Sequence, residues 1–185
     1  EWADNTLAFM RMSGAVKDKD DAPYNILTSE TKGAILSEGS VFFVLSDHKQ
    51  KNTYAELKDV SIYNTLQQNE IEGKVKQFLE RNALTADAID AVVLGYNGDA
   101  EFDGYYHTLA QNMFAGTQQV YYKHLCGEFN TASAFGLWVA SKGIKAQHFP
   151  DVVMSNSAGK TAYKNVLLYN QYKGKDHSLT LLSAC

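Results

Sequence analysis

Lys123-His124-Leu125-Cys126-Gly127-Glu128, running on to Thr131-Ala132-Ser133-Ala134, is the stretch on which the reading of this chain turns. Residues 119–122 just before it read as a short strand. Residues 131–142 after it read as a helix, with Phe135, Trp138 and Val139 available for burial and Gly143 placed where helices often stop. The stretch is therefore a strand-to-helix connection. In sheets covered by helices, such connections at the carboxyl ends of strands gather functional side chains.

The same alternation extends on both sides. Residues 6–11 read as a short helix end, and 17–23 as a charged loop closing the first segment. Residues 34–46 are rich in β-formers. The apolar run Val41-Phe42-Phe43-Val44-Leu45 at their centre suits a strand buried on both faces. After a polar turn at 47–52, residues 54–64 alternate and read as that strand's hairpin partner. Ile71, Val75, Phe78 and Leu79 fall at i, i+4, i+7 and i+8, so 70–81 is expected to be a helix with one apolar stripe, stopping at Asn82. Residues 91–94 read as a short buried strand ending at Gly95, and 103–113 as a helix capped by Asp103. Residues 151–154 read as another buried strand, and 165–171 with 178–183 as a hairpin around Lys173-Gly174-Lys175-Asp176. Strands alternating with helices predict an α/β protein: a mixed sheet with helices packed on it. Its functional loops are expected after Leu94, Tyr122 and Met154.

The bulk numbers narrow the function classes. At 185 residues the chain can bury one real core. A net charge of −4 and scattered lysines argue against nucleic acid or an anionic membrane surface as the main partner. No apolar segment approaches the ~20 residues of a membrane helix, and there is no signal peptide. Two cysteines, Cys126 and Cys185, make no disulfide framework and fit a reducing, cytoplasmic setting. The chain opens at Glu1-Trp2 without an initiator methionine, so it reads as a fragment of a longer protein.

Four blocks, in order and at matching spacing, resemble the β-ketoacyl-ACP synthases. Ser37-Glu38-Gly39-Ser40-Val41-Phe42-Phe43-Val44-Leu45 is similar to the family's Gly-Glu-Gly-Ala strand. Ala91-Val92-Val93-Leu94-Gly95-Tyr96-Asn97-Gly98-Asp99 lies where the family has a strand entering His-Gly-Thr-Gly-Thr. Lys123 to Ala134 resembles the Lys-x-x-x-Gly-His segment and its helix, and Ser155-Asn156-Ser157-Ala158-Gly159 a shortened Asn-Ser-Phe-Gly-Phe-Gly-Gly loop. The resemblance implies the C-terminal half of a thiolase-like fold, with residues 1–185 as a single half-domain. It implies a role in fatty-acid or polyketide-type acyl-chain synthesis, with an acyl carrier protein as partner and no cofactor. The family's nucleophilic cysteine belongs to the other half.

The same resemblance places Gly95 and Glu128 at the two catalytic histidine positions and retains Lys123. Glycine offers no side chain, and a carboxylate would repel an oxyanion where a donor is needed. No catalytic group is then intact, and a Lys123–Glu128 ion pair would serve as a structural element. Asn97, Asp99, Ser157 and Gly159 are the candidate substrate-binding residues. Three readings stay open: a degenerate subunit like a chain-length factor, pairing with an active synthase or with itself; an active acyltransferase whose nucleophile lies elsewhere; and a non-enzymatic α/β binding module. A half-fold is also expected to associate through the apolar face meant for its other half.

The remaining chemistry-bearing residues read as structural. Cys126 reads as a small buried residue, and His124 lies four residues before Glu128. His107 reads as packing on a helix, and His48, His148 and His177 lie in turns without metal-ligand spacing. Residues 97–103 carry three carboxylates, Asp99, Glu101 and Asp103, at a turn before a helix. Tyr105-Tyr106 and Tyr121-Tyr122 suit a core or an interface. Gly159-Lys160-Thr161 lacks the leading glycine and spacer of a phosphate loop.

Overall fold

The computed structural model describes residues 4–17 and 24–185; the charged loop expected at 17–23 lies, beyond Lys17, outside the described residues. In chain order the elements are α1 (Asp4–Met12), β1 (Glu56–Asn64), α2 (Ile71–Arg81), β2 (Ala91–Leu94), α3 (Gly104–Gln111), β3 (Gln118–Tyr121), α4 (Lys123–Cys126), α5 (Ala132–Ala146), β4 (Asn165–Tyr172) and β5 (Asp176–Ser183). Short 3₁₀ turns lie at Gln68–Glu70, Ala86–Ala88 and Asp151–Val153.

The five strands form one mixed sheet in the order β1-β5-β4-β2-β3. β2 pairs parallel with both β3 and β4, while β5 runs antiparallel to β4 and to β1. β4 explains the two cores. Its Leu167 and Tyr169 join Val92, Leu94, Leu179 and Leu181 under α2 and α3. Its Val166 and Leu168 face the other way, with Val93 and Leu182, toward Val139, Ala140 and Ile144 of α5. All four β2 residues are buried, as a central parallel strand covered on both faces must be. The α2 stripe Ile71, Val75, Phe78 and Leu79 is buried as its period requires. The β4–β5 turn places Lys173 and Gly174 at φ 51° and 63°, the positive-φ pair a tight hairpin favours.

Four local expectations give way to the structure. Residues 41–45 form no strand: Phe42, Val44 and Leu45 are 91%, 101% and 81% exposed, and β1 takes β5 as its partner instead. Residues 151–153 form a 3₁₀ turn, and Met154 makes one antiparallel bridge to Val120. A four-residue apolar run does not distinguish these cases, because the partner strand decides. Gly143 lies inside α5, where a Cβ would meet the buried Phe149 ring; the helix ends at Gln147 in a left-handed conformation, φ 52°. Asp103 stands before α3 but makes no side-chain cap there. No helix among the described residues is long and apolar enough to cross a membrane.

Candidate functional site

The site lies where the parallel strands β2 and β3 end and their loops converge. Past β3, Lys123 opens the single turn α4, which closes on Gly127 at φ 65°. Only glycine fits there without strain, because a Cβ would meet the Ser37 side chain. That turn sends Glu128 back over Lys123. Lys123 Nζ donates to Glu128 Oε2 at 2.7 Å, with both side chains buried. The backbone around Glu128 is fixed as well: its N–H donates to Ile35 O at 2.9 Å, and Ser37 N–H donates to its carbonyl at 3.0 Å.

The loop after β2 completes the cluster. Asn97 Nδ2 donates to the same Glu128 Oε2 at 2.7 Å, and Asn97 Oδ1 accepts from Asp99 N–H at 3.1 Å. Tyr24 O–H donates to the Asn97 carbonyl at 2.6 Å. One asparagine thus ties three distant segments together. Asp103 accepts the N–H groups of Gly98 at 2.8 Å and Asn97 at 3.3 Å, so it closes the 97–103 turn rather than capping α3. Asp99 Oδ1 accepts from Glu101 N–H at 3.1 Å, and exposed Glu101 pairs with Lys32 at 3.1 Å.

Four ionisable groups, Asp99, Asp103, Lys123 and Glu128, are buried here, and only one is basic. Burial pushes the Asp103 carboxyl up to about 7, against the lowering effect of its two N–H donors and of Lys123. Burial, with Asp103, Asp99 and Glu128 nearby, pushes the Tyr24 phenol well above its usual range. The Cys126 thiol is pushed up to about 11, mainly by burial, so it is protonated and a poor nucleophile near neutral pH. A cavity of about 20 Å³ opens between Met10, Leu36, Asn97, Asp99, Glu128 and Tyr172, room for about one water.

Gly95 belongs to the end of β2. Its N–H donates to Tyr169 O at 3.1 Å, and a Cβ there would meet Asn170 Oδ1 and the Tyr106 hydroxyl. Tyr122 O–H donates to Asn170 Oδ1 at 3.0 Å. Tyr106 O–H donates to Gln171 O at 3.2 Å and accepts Gln171 N–H at 2.9 Å. The space beside Gly95 is therefore filled from β4 and α3.

Of the residues singled out in the sequence, Asn97, Asp99, Lys123 and Glu128 meet in one cluster. Ser157 and Gly159 are exposed and stand apart from it. Their loop is held instead by Asn156, which accepts Gln119 N–H at 2.7 Å and donates to Thr117 O at 2.9 Å. Asp103 in its turn-closing role, Tyr24 and Tyr106 were not expected at the site, and their contacts join positions far apart in sequence. His124 packs at a tilt on Tyr121 with ring centroids 4.1 Å apart, and His107 Nδ1 lies 3.4 Å from the Tyr96 hydroxyl. Among the described residues, no group of histidine, cysteine or carboxylate side chains could hold a metal ion.

No family model and no curated protein matches the sequence. Solved structures do. The ishigamide ketosynthase/chain length factor superposes at a TM-score of 0.70 with 12% identity, over 100% of this chain and 52% of that one. This chain shares its fold with about half of that structure. A β-ketoacyl synthase from Burkholderia phymatum STM815 matches at 0.70 and 14%, over 100% of this chain and 53% of its own. A type II polyketide synthase acyl-carrier protein in complex with its ketosynthase, bound to the hexaketide, matches at 0.52 and 13%, over 71% and 39%. The chain thus spans about half the length of the two structures that cover it in full.

Proposed function

We propose that this chain is the C-terminal half of a β-ketoacyl-ACP synthase relative that has lost its own condensation chemistry. It serves acyl-chain or polyketide-type synthesis as a partner resembling a chain-length factor. The observation that carries this reading is the buried Lys123–Glu128–Asn97 cluster. Where the resemblance calls for a donor to a developing oxyanion, the chain has a carboxylate already engaged by two donors. At the other equivalent position, Gly95, no side chain has room. Both losses are built into the packing. The partner molecules under this reading are an acyl carrier protein and an active ketosynthase.

Acyl transfer tests the proposal. The chain is incubated with acyl-ACP and malonyl-ACP, alone and with an active type II ketosynthase, and products are followed by mass spectrometry. The expected result is no acyl label on Cys126 or Cys185, no condensation by the chain alone, and stable co-purification with the ketosynthase. Labelling of either cysteine, or a β-ketoacyl-ACP product from the chain alone, would restore the acyltransferase reading. Absence of both labelling and co-purification would favour a binding module outside acyl chemistry.

A further inference from the structure

The turn at 97–103 opens with Asn97-Gly98, the one Asn-Gly pair in the sequence. Asparagine before glycine is the dipeptide whose side-chain amide reacts most readily with its own main chain, because glycine leaves the next nitrogen unhindered and its backbone free to turn. The reaction needs Asn97 Cγ to swing onto Gly98 N. Here every group involved is already engaged. Asn97 Nδ2 donates to Glu128 Oε2 at 2.7 Å, and Asn97 Oδ1 accepts Asp99 N–H at 3.1 Å. The Gly98 N–H donates to Asp103 Oδ2 at 2.8 Å. Tyr24 closes over the pair. Its hydroxyl donates to the Asn97 carbonyl at 2.6 Å, and its ring fills the space where a Gly98 Cβ would stand. Asn97 is only 9% exposed. All of these contacts lie between residues 24 and 128.

We propose that Asn97 is a latent deamidation site, silent while this cluster is closed and converted irreversibly once the turn opens. In the open turn, Gly98 N gives up its proton and attacks Asn97 Cγ. The new N–Cγ bond closes a succinimide ring, the Cγ–Nδ2 bond breaks, and Nδ2 leaves as ammonia, taking up that proton. Water then opens the ring. Attack at Cγ leaves aspartate, and attack at the main-chain carbonyl leaves isoaspartate, whose chain runs on through Cγ. Either product puts a carboxylate where an amide donor faced Glu128. Asp99, Asp103 and Glu128 are already buried there with Lys123, and a further carboxylate adds charge without adding a cation. Isoaspartate also lengthens the backbone by one carbon, which breaks the register of the turn. A brief opening is thus reversible, whereas one that lasts long enough to deamidate is not. The proposal stands apart from acyl chemistry.

Peptide mapping by mass spectrometry tests it, on the 185-residue chain held at one pH and temperature, folded in buffer and unfolded in guanidinium chloride. The expected result is that Asn97 is the first asparagine converted in the unfolded chain. In the folded chain its conversion should be more than about tenfold slower. Tyr24→Phe removes one hydrogen bond from the lock and should raise the folded rate about fivefold. The ring stays over Gly98, so circular dichroism of this variant should match the parent. Asn97→Asp supplies one product directly. It should speed amide exchange at 97–103 while β4 and β5 keep their protection. Four results overturn the proposal: another asparagine converted ahead of Asn97 in the unfolded chain, equal rates in the folded and unfolded chain, a folded rate indifferent to Tyr24→Phe, or exchange at 97–103 unchanged by Asn97→Asp. None of them bears on the acyl-transfer assay.

Discussion

The chain inverts the usual rule of burial in two places. At the end of β2 and β3, a lysine and three carboxylates lie inside. Along 40–46, phenylalanine, valine and leucine lie outside. The two regions even share an anchor, since Glu128 holds both the buried ion pair and the backbone of Ser37, just ahead of the exposed run. The difference is in how each exception is compensated. The buried charges are satisfied within the chain, by Lys123, Asn97 and the turn N–H groups. The exposed run has no pairing segment among the described residues. A charge buried with its partners needs nothing further, whereas an exposed apolar run keeps its surface in water.

The sharpest way to break that contrast is to unpair the buried charges. Lys123→Met leaves Glu128 buried beside one amide donor and should cost about 3–5 kcal/mol in urea unfolding. Lys123→Met combined with Glu128→Leu should recover much of that, because no lone charge remains. A double variant no better than the single would show that the pair is not the organising contact. Gly143→Ala comes next. Its Cβ must displace the Phe149 ring, which has no room to move, so a loss of about 1–3 kcal/mol is expected despite the better helix propensity.

Acidity separates the buried groups by sign. Asp103 is raised from its usual 3.8 to about 7, so its contribution is full at low pH and is lost as pH rises through about 7. His177 goes the other way. Its ring is buried against Tyr169, whose hydroxyl lies 2.9 Å from Nδ1, and burial lowers it below the usual 6.5. Its contribution is present above 6.5 and is lost as pH falls below that value. Asp103→Asn should therefore gain on the parent as pH rises from about 4 to about 7, and His177→Gln should gain on it as pH drops below 6.5. Chemical denaturation at a series of pH values reads both slopes, and parallel curves for parent and variants would refute the assignment. The smallest effect belongs to the exposed run at 40–46: Val44→Ser should change stability by less than about 0.5 kcal/mol. A larger change would mean that Val44 is covered within its own chain.

The legible part of the fold is the part whose signal is local. The α2 stripe carries its own period, and the β4–β5 hairpin is announced by apolar runs flanking Lys173-Gly174. The Lys123–Glu128 pair could also be expected, because the resemblance sets a carboxylate at 128 near the retained lysine. What the sequence hid depends on partners far along the chain. Val41 to Leu45 has the composition of a strand, but a strand is defined by its neighbour, and none of the described segments supplies one. Asp103 looked like a cap because it precedes a helix, yet the N–H groups of Asn97 and Gly98 reach it first. Tyr24 and Asn97 are 73 positions apart, and no period or motif links them.

Tyr106 gives the sheet its outer limit. The β2–β4 ladder ends at Leu94 opposite Tyr169, and two residues further on a phenol oxygen takes both main-chain groups of Gln171. A single side chain thus impersonates the next rung of a departed strand. β4 can run on past its neighbour with its backbone groups satisfied, and the crevice beyond Gly95 is sealed by the same atom. In this fold, the end of a strand is a plug.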